Sequence, residues 1–573
     1  MLIIQSVIPC YGNTWLWTGG GGSNGNWNDS ANWNFAGIPT NGDTLVFQGT
    51  SGVNNTNNIA NLTLDQIRFN SGGFNLYGDA FTLTNDMVAT NASGVNTINN
   101  SVTNGAAGLG IIVSNPASLT LSGTINGPGS LTMTGSGTLT FNGAGTNTYA
   151  GATLVNGGTL LLGKSGVSTY GLAIPGALDI GSNATVSLES SWQLYSPSKT
   201  VTMADTSIFN LAGFNEWVGA ISLQGARITA GTGILYFSGN ITVNSSTVAQ
   251  SVISGNADIW GGTYTITNSG HNYSPDLMLS ANLSSEGSGD GLVKAGAGEV
   301  SLSGSNTFTG PVMVTGGNLW AQTATALGDT NYAATVEDGG SIFLFGSALD
   351  FGLKPLVLGG TGYAFGALSC NGTCSWEGNV TLTDASQIYL FGGSSLTMSG
   401  PIGGAGDLTL AGSGTLALSG TNADTYAGTT TVNSGSTLLL GKSISEQTIP
   451  GNLVINGTVL LGASEQTTNS ADVLINSGGL FNFSNNVTLL NTLHGLGTVN
   501  FGVGGWVNVG ENNGSSEFDG SFTGTGFSRG YTVGKVGSGT FTMGSNSTYT
   551  AGITHIYGGT MVINGSQPTI PVT

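Results

Sequence analysis

The stretch SLTLSGTINGPGSLTMTGSGTLTFNGAGTNTYAG, residues 118 to 151, returns without a gap as SLTMSGPIGGAGDLTLAGSGTLALSGTNADTYAG, residues 395 to 428, and 20 of the 34 positions are identical. Both copies continue into a shared tail, NGGTLLLGKS at 156 to 165 and NSGSTLLLGKS at 433 to 443. Weaker copies follow at 290 to 320 and 530 to 565. One structural unit is therefore used several times. A repeat buries its apolar face only against its neighbours, so 573 residues read as a single elongated body rather than as three or four globular domains.

Within each block, apolar residues alternate with Thr, Ser or Asn in runs of three to five, and Gly or Asn-Gly separates the runs. Period two with turn punctuation predicts short strands. Glycine every five to eight residues would cost a helix roughly 1 kcal/mol each, so almost no helix is expected. Leu139 and Phe141, with their counterparts Leu416 and Leu418, should point inward. In a parallel stack the Thr and Asn side chains between them come into register from turn to turn, where they can bond to one another.

The block resembles the autotransporter-associated β-strand repeat of secreted bacterial proteins, whose motif reads roughly G-L-x-K-x-G-x-G-T-L-x-L-x-G-x-N-x-Y-x-G-x-T-x-V-x-x-G-T-L. The best matches are Gly291 to Leu319, with Lys294, Gly296, Gly298, Phe308, Gly310 and Gly317, and Gly135 to Leu162. The resemblance implies an all-β chain, an extracellular right-handed parallel β-helix or β-solenoid; at about 20 to 25 residues per coil, its length predicts a rod of about 20 coils. It implies little about function, because the family decorates passengers of differing roles. Residues 11 to 50 resemble the module that often opens such proteins, through Trp17, Asn32-Trp33, Pro39, Asp43 and Phe47.

The expected organisation is an extension strand at 1 to 10, a Trp/Gly/Asn-rich module at 11 to 60, a continuous solenoid from 61 to 565 and a tail at 566 to 573. Trp15, Trp17, Trp27 and Trp33 lie in the module. Set between Gly and Asn, they could stack on sugar rings; the favoured reading is that they plug the first coil.

Only 6% of residues are charged, and nine Lys+Arg against 28 Asp+Glu leave a formal net charge of -19 with pI near 4.1. A phosphate backbone needs clusters of Lys and Arg, so nucleic acid is excluded as a partner. A hydrophobic fraction of 39% and a mean hydropathy of +0.16 argue against disorder. No run approaches the roughly 20 apolar residues of a transmembrane helix. The opening MLIIQSVIPC lacks the positive segment of a signal peptide, and Pro9 before Cys10 does not fit a lipoprotein site.

Cys370 and Cys374 sit in CNGTC, where an Asn-Gly turn brings them within reach of a disulfide in an oxidising compartment. The spacing also occurs in metal sites, but a structural zinc needs four ligands, and none of His271, His494 or His555 lies near Cys370. No metal or cofactor is expected. Glycoside hydrolysis needs two carboxylates facing across the substrate. The tight acidic groups, Glu337-Asp338 and Glu517 with Asp519, have no basic residue or histidine near them in sequence, and no G-x-S-x-G elbow occurs.

These readings point to a non-enzymatic structural protein at the cell surface, adhesive or fibre-forming. The alternative is a carbohydrate-binding or polysaccharide-degrading β-helix, with surface polysaccharide as partner. The apolar stretch Leu2, Ile3, Ile4, Val7 and Ile8, or the tryptophan-rich face, is expected to cover the last coils of a neighbouring copy, joining subunits head to tail; the alternative is that 566 to 573 folds back as a cap.

Overall fold

The computed structural model describes residues 12 to 166, 172 to 270, 272 to 443, 447 to 524, 532 to 549 and 552 to 566. The chain forms two compact units, Met1–Glu286 and Gly287–Thr573. Both are built from short strands paired in parallel, the architecture of a β-solenoid, and the described strands make about 23 turns. The described helix is a single 3-10 turn, Ser30–Asn32. No helix among the described residues is long and apolar enough to cross a membrane.

Alternation builds the core directly. In the first unit Leu119, Leu139, Leu160, Val186, Phe209, Ile228 and Ile253 are register partners on successive turns, and all are buried. In the second, Ile342, Leu368, Ile388, Leu410, Val432, Ile455 and Ile475 form the same kind of inward column. Each buried side chain contributes about 1.5–3 kcal/mol, which only the turns above and below can supply. Leu139, Phe141, Leu416 and Leu418 are fully buried, as the alternation requires. The neighbouring outward positions carry Thr, Ser and Asn, some of which bond between turns, such as Asn476 to Asn456 at 2.8 Å.

The four repeat blocks have one construction. In the first, strand Leu131–Thr134 pairs with Thr153–Val155, and Thr138–Phe141 pairs with Thr159–Leu162. The third repeats this with Leu408–Gly412 on Thr430–Val432 and Thr415–Leu418 on Thr437–Leu440. Each block is therefore one turn closing on the next.

In two places longer strands replace the usual break between short ones: Arg227–Phe237 on Ser251–Ile259 in the first unit, and Gly340–Asp350 on Leu368–Trp376 in the second. The CNGTC segment lies in the last of these and is not a hairpin turn. Gly372 adopts φ 134°, and a Cβ there would come 1.9 Å from the Gly346 carbonyl oxygen. Stacked glycines let the strand change direction without leaving the ladder.

Candidate functional site

The four tryptophans of the N-terminal module are enclosed. Strand Thr14–Trp17 pairs with Thr44–Phe47, which pairs in turn with Gln66–Phe69, so the module continues the parallel ladder. Exposure is 7% for Trp15, 1% for Trp17, 0% for Trp27 and 4% for Trp33. Their rings cover one another, with Trp17 and Trp33 centred 5.0 Å apart and Trp27 against Phe47. Every indole N–H donates internally: Trp15 to Asp43 Oδ2, Trp17 to the Ser51 carbonyl, Trp27 to Asn55 Oδ1 and Trp33 to the Trp27 carbonyl. Asp43 also accepts from the amides of Asn13 and Thr40. Leu2, Ile3, Ile4, Val7, Ile8 and Cys10 lie outside the described residues.

A second aromatic group, in the first unit, faces outward. Trp192, Tyr195, Trp217, Tyr236 and Trp260 are each half-buried. Successive ring centroids form a closed circuit: Tyr195 to Trp192 5.4 Å, Trp192 to Tyr236 5.7 Å, Tyr236 to Trp260 5.8 Å, Trp260 to Trp217 5.1 Å and Trp217 to Tyr195 5.5 Å. Register explains the grouping. Trp217 pairs with Tyr236, Tyr236 with Asp258 and Asp258 with Ser284, one residue per turn on the outer face.

The segment bearing Trp192 and Tyr195 is anchored from below. Glu216 is fully buried, and its carboxylate accepts four backbone N–H groups: Gln193 at 2.6 Å, Leu194 at 3.1 Å, and Tyr195 and Trp217 at 2.9 Å. Burial pushes the Glu216 carboxyl up and the four donors pull it back. Lys199 closes the same segment by donating to the carbonyls of Ile174 and Leu194. Trp192 and Tyr195 hold φ at 64° and 37°, a left-handed conformation that side chains with a Cβ rarely adopt. Around the rings, Trp217 Nε1 donates to Ser238 Oγ at 3.0 Å and Ser284 Oγ donates to Asp258 Oδ2 at 2.6 Å. Burial raises the Tyr236 phenol, and the negative charges of Asp258 and Glu286 raise it further.

The second unit carries a more apolar outward group. Trp320, Phe343, Phe345 and Phe391 interlock, and Phe365 and Tyr389 extend the group through Phe391. The indole N–H of Trp320 is buried with no acceptor among the described residues.

The lysines are engaged with the backbone. All six lysine ammonium groups donate to backbone carbonyls. Lys294 reaches the carbonyls of Ala295, Gly296 and Gly316, and Lys535 repeats this on Val536, Gly537 and Gly558. The repeat lysine is thus a clamp joining one turn to the next through carbonyls at a glycine turn. In the blocks with Met133 and Leu410 at the aligned site, Lys164 and Lys442 place their ammonium on other turn carbonyls. Among the described residues, no group of three or more His, Cys, Asp or Glu is placed to hold a metal ion. Cys370 and Cys374 are buried, with Sγ atoms 2.7 Å apart; the hydrogen bond with Cys374, and then burial, push the Cys370 thiol up.

Sequence reading assigned no role to Trp192, Trp217 or Trp260, which lie in one of the stretches between repeat blocks. It missed Tyr195, Tyr236, Glu216 and Asp258. The available signal was the spacing of Trp217, Tyr236 and Asp258 by about one coil each.

Comparison with known proteins agrees with this construction. The passenger-associated-transport-repeat profile matches residues 131–162, 292–321, 408–440 and 534–563, the turns described above. The chain is also similar to the protein named adhesin BmaC autotransporter of Brucella suis biovar 1 (strain 1330), with 28% identity over 562 residues, covering 88% of this chain and 16% of that protein. It spans about a sixth of that relative's length. No solved structure matches it significantly. Four turns of the chain therefore carry the passenger-associated transport repeat, in line with its likeness to an autotransporter passenger.

Proposed function

We propose that this chain is a non-catalytic, extracellular segment of a bacterial surface adhesin, in which a stiff β-solenoid displays recognition surfaces on its flanks. The observation that carries the reading is the outward circuit of Trp192, Tyr195, Trp217, Tyr236 and Trp260, built around the in-register strand residues Trp217 and Tyr236 and pinned by Glu216. Large aromatic surface costs stability when exposed unless it has a partner. The passenger repeats and the adhesin relative favour a place outside the cell. The engagement of the lysines with backbone carbonyls favours a binding role over a catalytic one.

The test is display of residues 1 to 573 on a non-adherent bacterium through a heterologous autotransporter barrel. Adherence to host-cell or matrix-coated surfaces above the barrel-only control is expected. Surface display confirmed by antibody with no gain in adherence on any surface would sink the reading.

A finer form of the proposal is head-to-tail self-association through Leu2 to Ile8, motivated by that apolar, β-prone stretch. Deleting residues 1 to 9 should abolish filaments visible by electron microscopy; filaments unchanged by the deletion would refute the role of the stretch.

A further inference from the structure

The surface reading leaves open what the lateral circuit of rings takes. Resting on that reading, we propose that Trp192, Tyr195, Trp217, Tyr236 and Trp260 form a binding surface for an uncharged polysaccharide.

Three observations select this ligand. The first is the kind of ring. All five side chains are Trp or Tyr, an apolar face with a polar edge, and all five are half-buried rather than enclosed. A pyranose presents the matching surface, because its axial C–H bonds carry slight positive charge toward the negative π face while its hydroxyls stay at the rim. The phenylalanine-rich group around Phe343 in the second unit offers little of that polar edge.

The second observation is charge. Asp258, which is buried and bonded by Ser284, and the exposed Glu286 place negative charge near Tyr236, and Ser238 lies against the Trp217 indole. The exposed Glu286 carboxylate can accept hydrogen bonds from sugar hydroxyls, and negative charge here repels phosphate, sulfate or uronate groups. The ammonium beside the segment, that of Lys199, is engaged with two carbonyls. With a formal charge of -19 on the chain, an anionic glycan or lipid surface is the wrong partner.

The third observation is preorganisation. Trp192 and Tyr195 are held at left-handed φ by Glu216 and Lys199, so the rings are fixed before a ligand arrives and little conformational entropy is lost on binding. The rows repeat once per turn, about 4.8 Å apart. That rise is close to the advance per sugar along an extended glycan, so successive residues of one polymer can meet successive turns.

The experiment is native affinity electrophoresis of the full chain in gels containing hydroxyethylcellulose, xylan or galactomannan, with heparin as the charged comparison. Retardation in at least one neutral gel is expected, with binding weakened about tenfold or more in Trp217→Ala and in Trp260→Ala. Circular dichroism of the variants should match the parent. Phe345→Ala, in the other unit, should bind as the parent does. The proposal is overturned by retardation in none of the neutral gels, by retardation in heparin alone, or by neutral-gel binding that both tryptophan variants retain. Adherence without glycan binding would remove this proposal and leave the adhesin reading standing; glycan binding without adherence would do the reverse.

Discussion

Trp27 and Trp260 are the same residue, each just outside a parallel ladder, and they have opposite surroundings. Trp27 has no exposed surface, donates its N–H to Asn55 Oδ1 and packs among Trp33, Phe47 and Phe81. Trp260 keeps part of its surface open and touches Trp217 and Tyr236 on the flank. The first group closes on itself, with every N–H satisfied and every ring covered. The second is held in place from beneath, by Glu216 and Lys199, while its rings remain accessible. What separates a structural aromatic from a recognition aromatic here is where its support comes from: all sides, or one side only.

The strongest way to break this contrast is truncation. Trp27→Ala should cost about 3–5 kcal/mol, because the cavity cannot close among rigid rings, and Trp260→Ala only about 1 kcal/mol. Hydrogen exchange would check it: protection of the amides in Thr44–Phe47 and Asn54–Asn57 should collapse in Trp27→Ala, whereas Trp260→Ala should leave all strands protected. Comparable losses in both variants would erase the distinction between the two groups.

Enclosure can be sharpened with charge, since the two long repeat copies differ at one buried position. Asn147 of the first copy becomes Asp424 in the second, where it forms a wholly buried ion pair with Lys442 at 3.1 Å. Burial raises the Asp424 carboxyl from 3.8 to about 6 despite Lys442, while burial without an acidic partner lowers Lys164 to about 8. Because the folded chain holds the Asp424 proton more tightly than the unfolded one, this group's contribution is fully present below pH 3.8 and is lost as pH rises through about 6. At about 1.4 kcal/mol per pKa unit, the swing is on the order of 3 kcal/mol. Denaturant unfolding at about pH 4 and about pH 7 should show this decline in the parent and a flatter response in Asp424→Asn. Equal slopes in the two proteins would show that the ion pair compensates the burial completely.

The smallest expected effect concerns the enclosed thiols. We propose that Cys370 and Cys374, with Sγ atoms 2.7 Å apart, oxidise to a disulfide once the chain is exported. The mass of unreduced secreted protein should be lower by two hydrogens. Reduction should change stability little, because the loop closed is only three residues long. Free thiols that alkylate quantitatively in the unfolded, unreduced protein would refute it.

Much of this molecule was readable from the chain. Alternation placed Leu139, Phe141, Leu416 and Leu418 in the core, because an inward column is where a period-two pattern becomes energetically favourable. Glycine punctuation located the turns, and the aligned copies marked which turns are alike. The CNGTC segment was misread as a turn. Asn-Gly normally starts a hairpin, but here Gly372 stacks on Gly346 and the strand passes a corner while keeping its partners. The role of the repeat lysine was hidden for a related reason: its acceptors Ala295 and Gly296 are adjacent in sequence, whereas Gly316 is a turn away.

Sequence alone therefore settled the period, the inward set and the repeated turn, all of which depend on neighbours within a few residues or on copies that can be aligned. It did not settle which outward residues of different turns meet. Trp192 touches Tyr236 across 44 positions of chain, and Glu216 reaches back to Gln193 across 23. Turns differ in length: 19 residues separate Trp217 from Tyr236, and 30 separate Thr14 from Thr44. Small differences in turn length shift which side chains share a row, and only the folded register adds those differences up.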